Sequence, residues 1–116
     1  MNAFDIDGVI SIGIYPGPED IIITGRSIEE KPETEKFLKS RGISTRVYYN
    51  PIAYDLKTRK ISGIHKRETI ESLNGAIDLF FEDDEIQIEE ILKSKYPVKI
   101  VHIKHSLTNK ENERHY

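Results

Sequence analysis

Three short apolar stretches of this chain each run into a polar cluster, and that repetition narrows the fold more than any other feature. Residues 3–6 lead into Asp5-Ile6-Asp7-Gly8, Ile21-Ile22-Ile23 into Thr24-Gly25-Arg26, and residues 77–81 into Glu82-Asp83-Asp84. Continuous apolar runs suit strands covered on both faces, and open α/β sheets carry their chemistry just past the carboxyl ends of such strands. Segments with helix punctuation lie between them. Residues 32–41 open on Pro32, hold Glu33 and Glu35 near the positive helix start, and close on Lys39 and Arg41, with Gly42 suited to the left-handed cap. Residues 66–73 set Ile70 and Leu73 on one face, and residues 85–95 carry an Ile88-Ile91-Leu92 stripe between a capping Asp84 and Pro97. Further strands are expected over residues 43–49, with Val47 facing inward, and over 98–103. Residues 9–18 hold Gly13, Pro16, Gly17 and Pro18 and read as turn, and residues 50–63 read as loop with one short turn.

Strands alternating with helices imply an α/β, Rossmann-like fold: a mostly parallel five-stranded sheet with right-handed crossovers and helices on both faces. The acidic clusters after the first and fourth strands converge only if those strands are neighbours, which the order 3-2-1-4-5 provides. At 116 residues the chain has room for one domain, expected over residues 1–103, with a polar tail over 104–116. A net charge of −3 gives the molecule as a whole no attraction for nucleic acid. The absence of cysteine excludes disulfides, thiolate metal sites and cysteine nucleophiles. Asp5 and Asp7 interrupt the one stretch that could resemble a signal peptide, and no run is long enough for a membrane helix. A cytoplasmic protein without a membrane partner is expected.

Two aspartates, a hydroxyl, a lysine and a second acidic pair, in that order, suit a magnesium site built for a phosphate group. A phosphomonoester dianion must meet a carboxylate, and at about 4 Å and an effective dielectric near 20 each like-charge pair costs about 4 kcal/mol. A divalent cation on hard oxygen ligands, together with a lysine, offsets that repulsion. Asp5 and Asp83 can supply carboxylates, Lys66 can neutralise both nucleophile and phosphate, and Thr24 can donate to a phosphate oxygen. Asp7 is free in this scheme to alternate as general acid and base. Lys60 competes with Lys66 for the lysine role, Glu82 reads as a helix cap, and Asp84 reads as either a cap or a ligand.

With these residues in place, the chain resembles the haloacid dehalogenase-like (HAD) phosphatase superfamily over nearly all of residues 1–103. Asp5-Ile6-Asp7-Gly8-Val9 resembles its first motif, Thr24 its second-motif hydroxyl, Lys66 its third-motif lysine and Asp83-Asp84 its acidic fourth motif. The resemblance implies a phosphoric monoester hydrolase working through an aspartyl phosphate on Asp5, with Asp7 as acid/base and Mg2+ held by Asp5, the Asp7 carbonyl, Asp83 and Asp84. Thr24-Gly25-Arg26 and Phe81-Glu82-Asp83-Asp84 are similar to the phosphatase domains of phage polynucleotide kinases, which makes Thr24, Gly25 and Arg26 expected phosphate contacts and a nucleic-acid end or nucleotide an expected substrate. The chain departs from the family in two ways. No gap is large enough for a cap domain, and only about a dozen residues replace the usual helix between the first two motifs, near the minimum for a parallel crossover.

That missing helix leaves one sheet face short of cover, so either a homodimer or a folded-back tail is expected there. Lys57, Arg59, Lys60, His65, Lys66 and Arg67 read as a solvated basic face or, more sharply, as a groove for a polyanion with Tyr15, Tyr48 or Tyr54 stacking on a base. His102, His105 and His115 lack a zinc spacing and read as surface residues. The competing function is a non-catalytic phosphate-binding or protein-interaction module on the same scaffold.

Overall fold

The computed structural model describes residues 1–105. Five strands form one sheet in the order β3-β2-β1-β4-β5: β1 (Ala3–Phe4), β2 (Ile21–Ser27), β3 (Val47–Asn50), β4 (Leu79–Glu82) and β5 (Lys99–His102). Every pairing is parallel, with Phe4 opposite both Ile22 and Phe81. Three helices connect them, α1 (Lys31–Ser40), α2 (Arg59–Ser72) and α3 (Glu85–Ile91). The strand order and the placement of helices on both faces agree with the expectation.

Alternation along the strands sorts the core into two layers. Ala3, Ile21, Ile23 and Phe80 pack with Ile70 of α2 and Ile91 of α3. Phe4 and Ile22 pack on the opposite face with Leu38 of α1 and with Ile6, Val9 and Ile10. Those last three residues correct one expectation. The missing helix does not leave that face bare, because a 3-10 turn over Ile10–Ile12 folds onto it and Ile6, Val9 and Ile10 are fully buried. A tight knot of backbone bonds holds the turn: Ser11 N–H to the Ile6 carbonyl at 3.0 Å and Ile14 N–H to the Val9 carbonyl at 3.1 Å. A short apolar loop can thus do the covering work of a helix. Of the tail expected over residues 104–116, all but Lys104 and His105 lies outside the described residues.

Element boundaries differ in three informative places. Thr24-Gly25-Arg26 lies inside β2 and does not end it; pairing with β3 continues, through a register irregularity, to Ser27 opposite Asn50. The Asn50 amide reaches the Gly25 carbonyl at 3.4 Å, so tertiary pairing overrides the local turn signal of the glycine. Secondly, α2 begins at Arg59, capped by the Thr58 hydroxyl accepting from Ile61 N–H, so Lys66 sits mid-helix and not at a helix start. Residues 59–63, expected as loop, are helical, and Gly63 is a close-approach residue within α2, where a Cβ would lie 2.8 Å from the Glu90 Cβ and 3.0 Å from the Gln87 Cα of α3. Thirdly, residues 43–46 are not strand. Ile43 N–H instead bonds the Leu38 carbonyl at 2.9 Å past Gly42 (φ +71°), completing the α1 cap. Helix α3 also ends at Ile91, short of Lys95.

Candidate functional site

The central strands β1 and β4 end side by side, and the Asp5 N–H continues their ladder to the Phe81 carbonyl at 3.0 Å. This is the point where strand order reverses, the crevice in which α/β sheets bind ligands. Asp5, Glu82 and Asp83 each bring a carboxylate oxygen to within 4.8 Å of the other two. Two distant stretches of chain therefore meet because β1 and β4 are neighbours, as the expected strand order requires.

Glu82 is the member that sequence reasoning missed, having been read as a cap. It is fully buried, because strand alternation points it to the same face as Phe80. The alternation of β4 was the signal that could have found it. Its Oε1 accepts from Lys66 Nζ at 2.5 Å, while Oε2 accepts the N–H groups of Asp83 at 3.1 Å and Asp84 at 3.4 Å. Lys66, itself fully buried, also reaches Asp5 Oδ1 at 3.0 Å. Burial by itself would push the ammonium down, but the charges of Asp5 and Glu82 and their hydrogen bonds overcome it and hold Lys66 above the usual lysine range. Lys60, the competing lysine, is exposed.

Gly8 makes room for Asp83. Its φ of +88° lies in the left-handed region, and a Cβ built there would stand 1.9 Å from Asp83 Oδ2 and 2.8 Å from His105 Nε2. The reading of His105 as a surface residue is corrected here. Its side chain is 10 % exposed and its Nε2 lies 2.8 Å from Asp83 Oδ2. The register of β5 beside β4 carries it there, since Ile103 N–H bonds the Glu82 carbonyl at 2.8 Å.

The remaining motif residues form a second polar group at the end of β2. Arg26 grips Asp7 in a two-point ion pair, Nε to Oδ2 at 3.0 Å and Nη2 to Oδ1 at 2.8 Å, and its Nη1 reaches the Thr34 hydroxyl at 3.2 Å. Thr24 is fully buried, and its hydroxyl oxygen accepts from the Arg26 N–H at 3.0 Å. Asp84 caps α3 by accepting from Ile86 N–H at 3.0 Å and also receives two bonds from Arg59, at 2.6 and 3.0 Å. The structure thus gathers Asp5, Glu82, Asp83 and Lys66, sets Asp7, Arg26 and Thr24 together at the end of β2, and gives the Asp84 side chain a capping role.

Four of the six residues of the basic stretch are paired with acidic side chains, while Lys60 is exposed. Lys57 is buried against Glu30 at 2.7 Å, Arg59 is on Asp84, Lys66 is on Asp5 and Glu82, and Arg67 is on Glu90 at 3.1 Å. His65 is pushed down to about 4, chiefly by burial and also by the Lys66 charge, against opposing bonds to the carbonyls of Tyr48 and Thr24. Arg59, Lys66 and Arg67 of α2 meet acidic partners because that helix packs against acidic segments. Two of the three tyrosines named for stacking already lie under cations, Tyr48 below Arg46 and Tyr54 below Lys57.

A cavity of about 350 Å³ opens beside Asp83 and is lined by Arg59, Asp84, His102, Lys104 and His105 among others. A larger one, about 730 Å³, lies against the β3 edge around Tyr48 and Tyr49 and contains none of the clustered carboxylates. Among the described residues no helix is long and apolar enough to cross a membrane. Comparison of the chain with family models, with curated proteins and with solved structures found no match.

Proposed function

We propose that the protein is a magnesium-dependent phosphomonoester hydrolase of the HAD-like, capless kind. The supporting observation is the meeting of Asp5, Glu82 and Asp83 with Lys66 at the carboxyl ends of the two central strands. The donor set fits the cation: all three candidate ligands are hard carboxylate oxygens, and three carboxylates beside one ammonium leave a formal excess of two negative charges. Asp5, Asp83 and Glu82 would hold the ion, which when bound supplies charge neutralisation and orients the phosphate.

The chain's own groups account for the rest. An Asp5 carboxylate oxygen attacks phosphorus, the ester P–O bond breaks, and Asp7 delivers a proton to the leaving oxygen. Water then attacks the aspartyl phosphate and gives its proton to Asp7, which restores Asp5 and releases inorganic phosphate. Lys66, 3.0 Å from Asp5 Oδ1, lowers the repulsion met by the incoming dianion. Arg26, paired with Asp7 at both carboxylate oxygens, turns from that carboxylate to a phosphate oxygen when substrate arrives. With no cap domain in the described residues, the substrate's own bulk covers the site, which suits a phosphorylated nucleic-acid end or a nucleotide.

The competing binding-module reading draws on the same pair, because the Asp7 carboxylate is already engaged at both oxygens by Arg26. A magnesium-dependent assay over phosphomonoesters, including 3′- and 5′-phosphorylated oligonucleotides, separates the two. Release of phosphate that is lost in a folded Asp5→Asn variant is expected. Turnover retained in that variant would refute the nucleophile assignment, and binding without turnover in the wild type would favour the module.

A further inference from the structure

His105 lies beyond every motif that suggested the site, yet it ends within hydrogen-bond distance of one of the three clustered carboxylates. A carboxylate oxygen only accepts, so the His105 Nε2 carries the hydrogen and donates it to Asp83 Oδ2. Both side chains are nearly shut off from water, at 10 % and 2 % exposure, where a hydrogen bond to a charged oxygen is strong and directional. The other ring nitrogen, Nδ1, is buried and has no hydrogen-bond partner among the described residues. A residue needed only for packing would be better served by an apolar ring, since an orphaned buried nitrogen costs stability. Gly8 presses on both partners, as its absent Cβ would meet Asp83 Oδ2 and then His105 Nε2.

We infer that His105 is a positioning residue for Asp83, holding one of its carboxylate oxygens so that Asp83 joins Asp5 and Glu82 around a divalent cation in a single orientation. This rests on the metal reading proposed above. Outer partners of metal-binding carboxylates act by restricting rotation, and their loss typically weakens metal binding by about 10–100-fold.

The test measures Mn2+ binding to the full chain, by calorimetry or by the loss of the free-ion paramagnetic signal, so it does not depend on turnover. His105→Ala is expected to weaken Mn2+ binding by about 10–100-fold. His105→Gln, which returns an N–H near the same oxygen, is expected to recover most of that loss. If the alanine variant does not fold, His105→Phe takes its place, filling the volume without the donor. Unchanged or tighter binding without the imidazole would overturn the inference, the second by showing that the ring merely covers the site. Equal losses in the alanine and glutamine variants would overturn it too, by assigning the effect to packing. Failure of the wild-type chain to bind Mn2+ would overturn both this inference and the metal reading. Wild-type binding that is insensitive to His105 would remove this inference alone.

Discussion

Asp7 and Arg26, nineteen positions apart in the chain, close a two-point ion pair with bonds of 2.8 and 3.0 Å, and the guanidinium is steadied further by the Thr34 hydroxyl. The flat fork of arginine fits a carboxylate or a phosphate equally well, whereas lysine offers only a point charge. Arg26→Lys is therefore expected to keep the fold and to lower kcat/KM on a phosphomonoester by at least about tenfold, the size of one lost charge-assisted bond. Steady-state kinetics beside a urea titration would check this. Undiminished kcat/KM would show that Arg26 serves structure only.

The Lys66 ammonium lies between Asp5 and Glu82 and is paired with both. Replacing it with methionine keeps the volume and leaves two buried carboxylates facing each other. Removing one partner of a buried ion pair costs about 3–5 kcal/mol. Lys66→Met should lose that much at neutral pH and regain part of it in mildly acid buffer, where the carboxylates take up protons, or on adding Mg2+. Chemical denaturation at several pH values measures it, and a variant as stable as wild type at pH 7 would contradict the ion-pair account.

Gly8 is held at φ +88° against Asp83. A side chain there carries backbone strain of about 1–3 kcal/mol, and its Cβ must also displace the Asp83 carboxylate. Gly8→Ala should consequently both destabilise the fold and weaken Mn2+ binding. A crystal structure of the variant with Asp83 unmoved, or unaltered metal affinity, would contradict the steric argument.

His65 titrates at about 4 in the folded chain, below its ordinary value, so the unfolded chain binds the proton first. Stability is then independent of this group above pH 6.5, falls as pH drops from about 6.5 to 4, and falls no further on its account below that. The loss is at most on the order of 3 kcal/mol, reduced by the partial exposure of the ring. His65→Gln should flatten this segment of the stability profile, and a profile parallel to wild type would reject the burial argument.

Much of the architecture was legible before any coordinates. Short apolar runs ending in polar clusters implied the parallel sheet and the order of its strands, and the convergence of Asp5 with Asp83 followed from strands one and four being neighbours. Local signals failed where packing outweighed them. Gly25 stands in a cluster expected to end its strand and Gly63 in a segment expected to be loop, but one is carried through a strand by pairing with β3 and the other lets α2 approach α3. Glu82 reads as a cap because its neighbour Asp84 does cap, while the strand alternation that buries it is written in the same residues.

Sequence order alone was enough to say which residues stand at the carboxyl ends of the central strands, because strand polarity and crossover handedness leave few arrangements. The pairing of side chains was decided only in three dimensions. Whether Lys57, Arg59 and Arg67 face a polyanion or an acidic neighbour depends on which segments pack beside them: Lys57, just before α2, meets Glu30, while Arg59 and Arg67 of α2 meet Asp84 and Glu90. His105 likewise gains its place from β5 lying in register with β4. Local composition carries no record of such contacts, since their energy arises between segments that the chain itself keeps far apart.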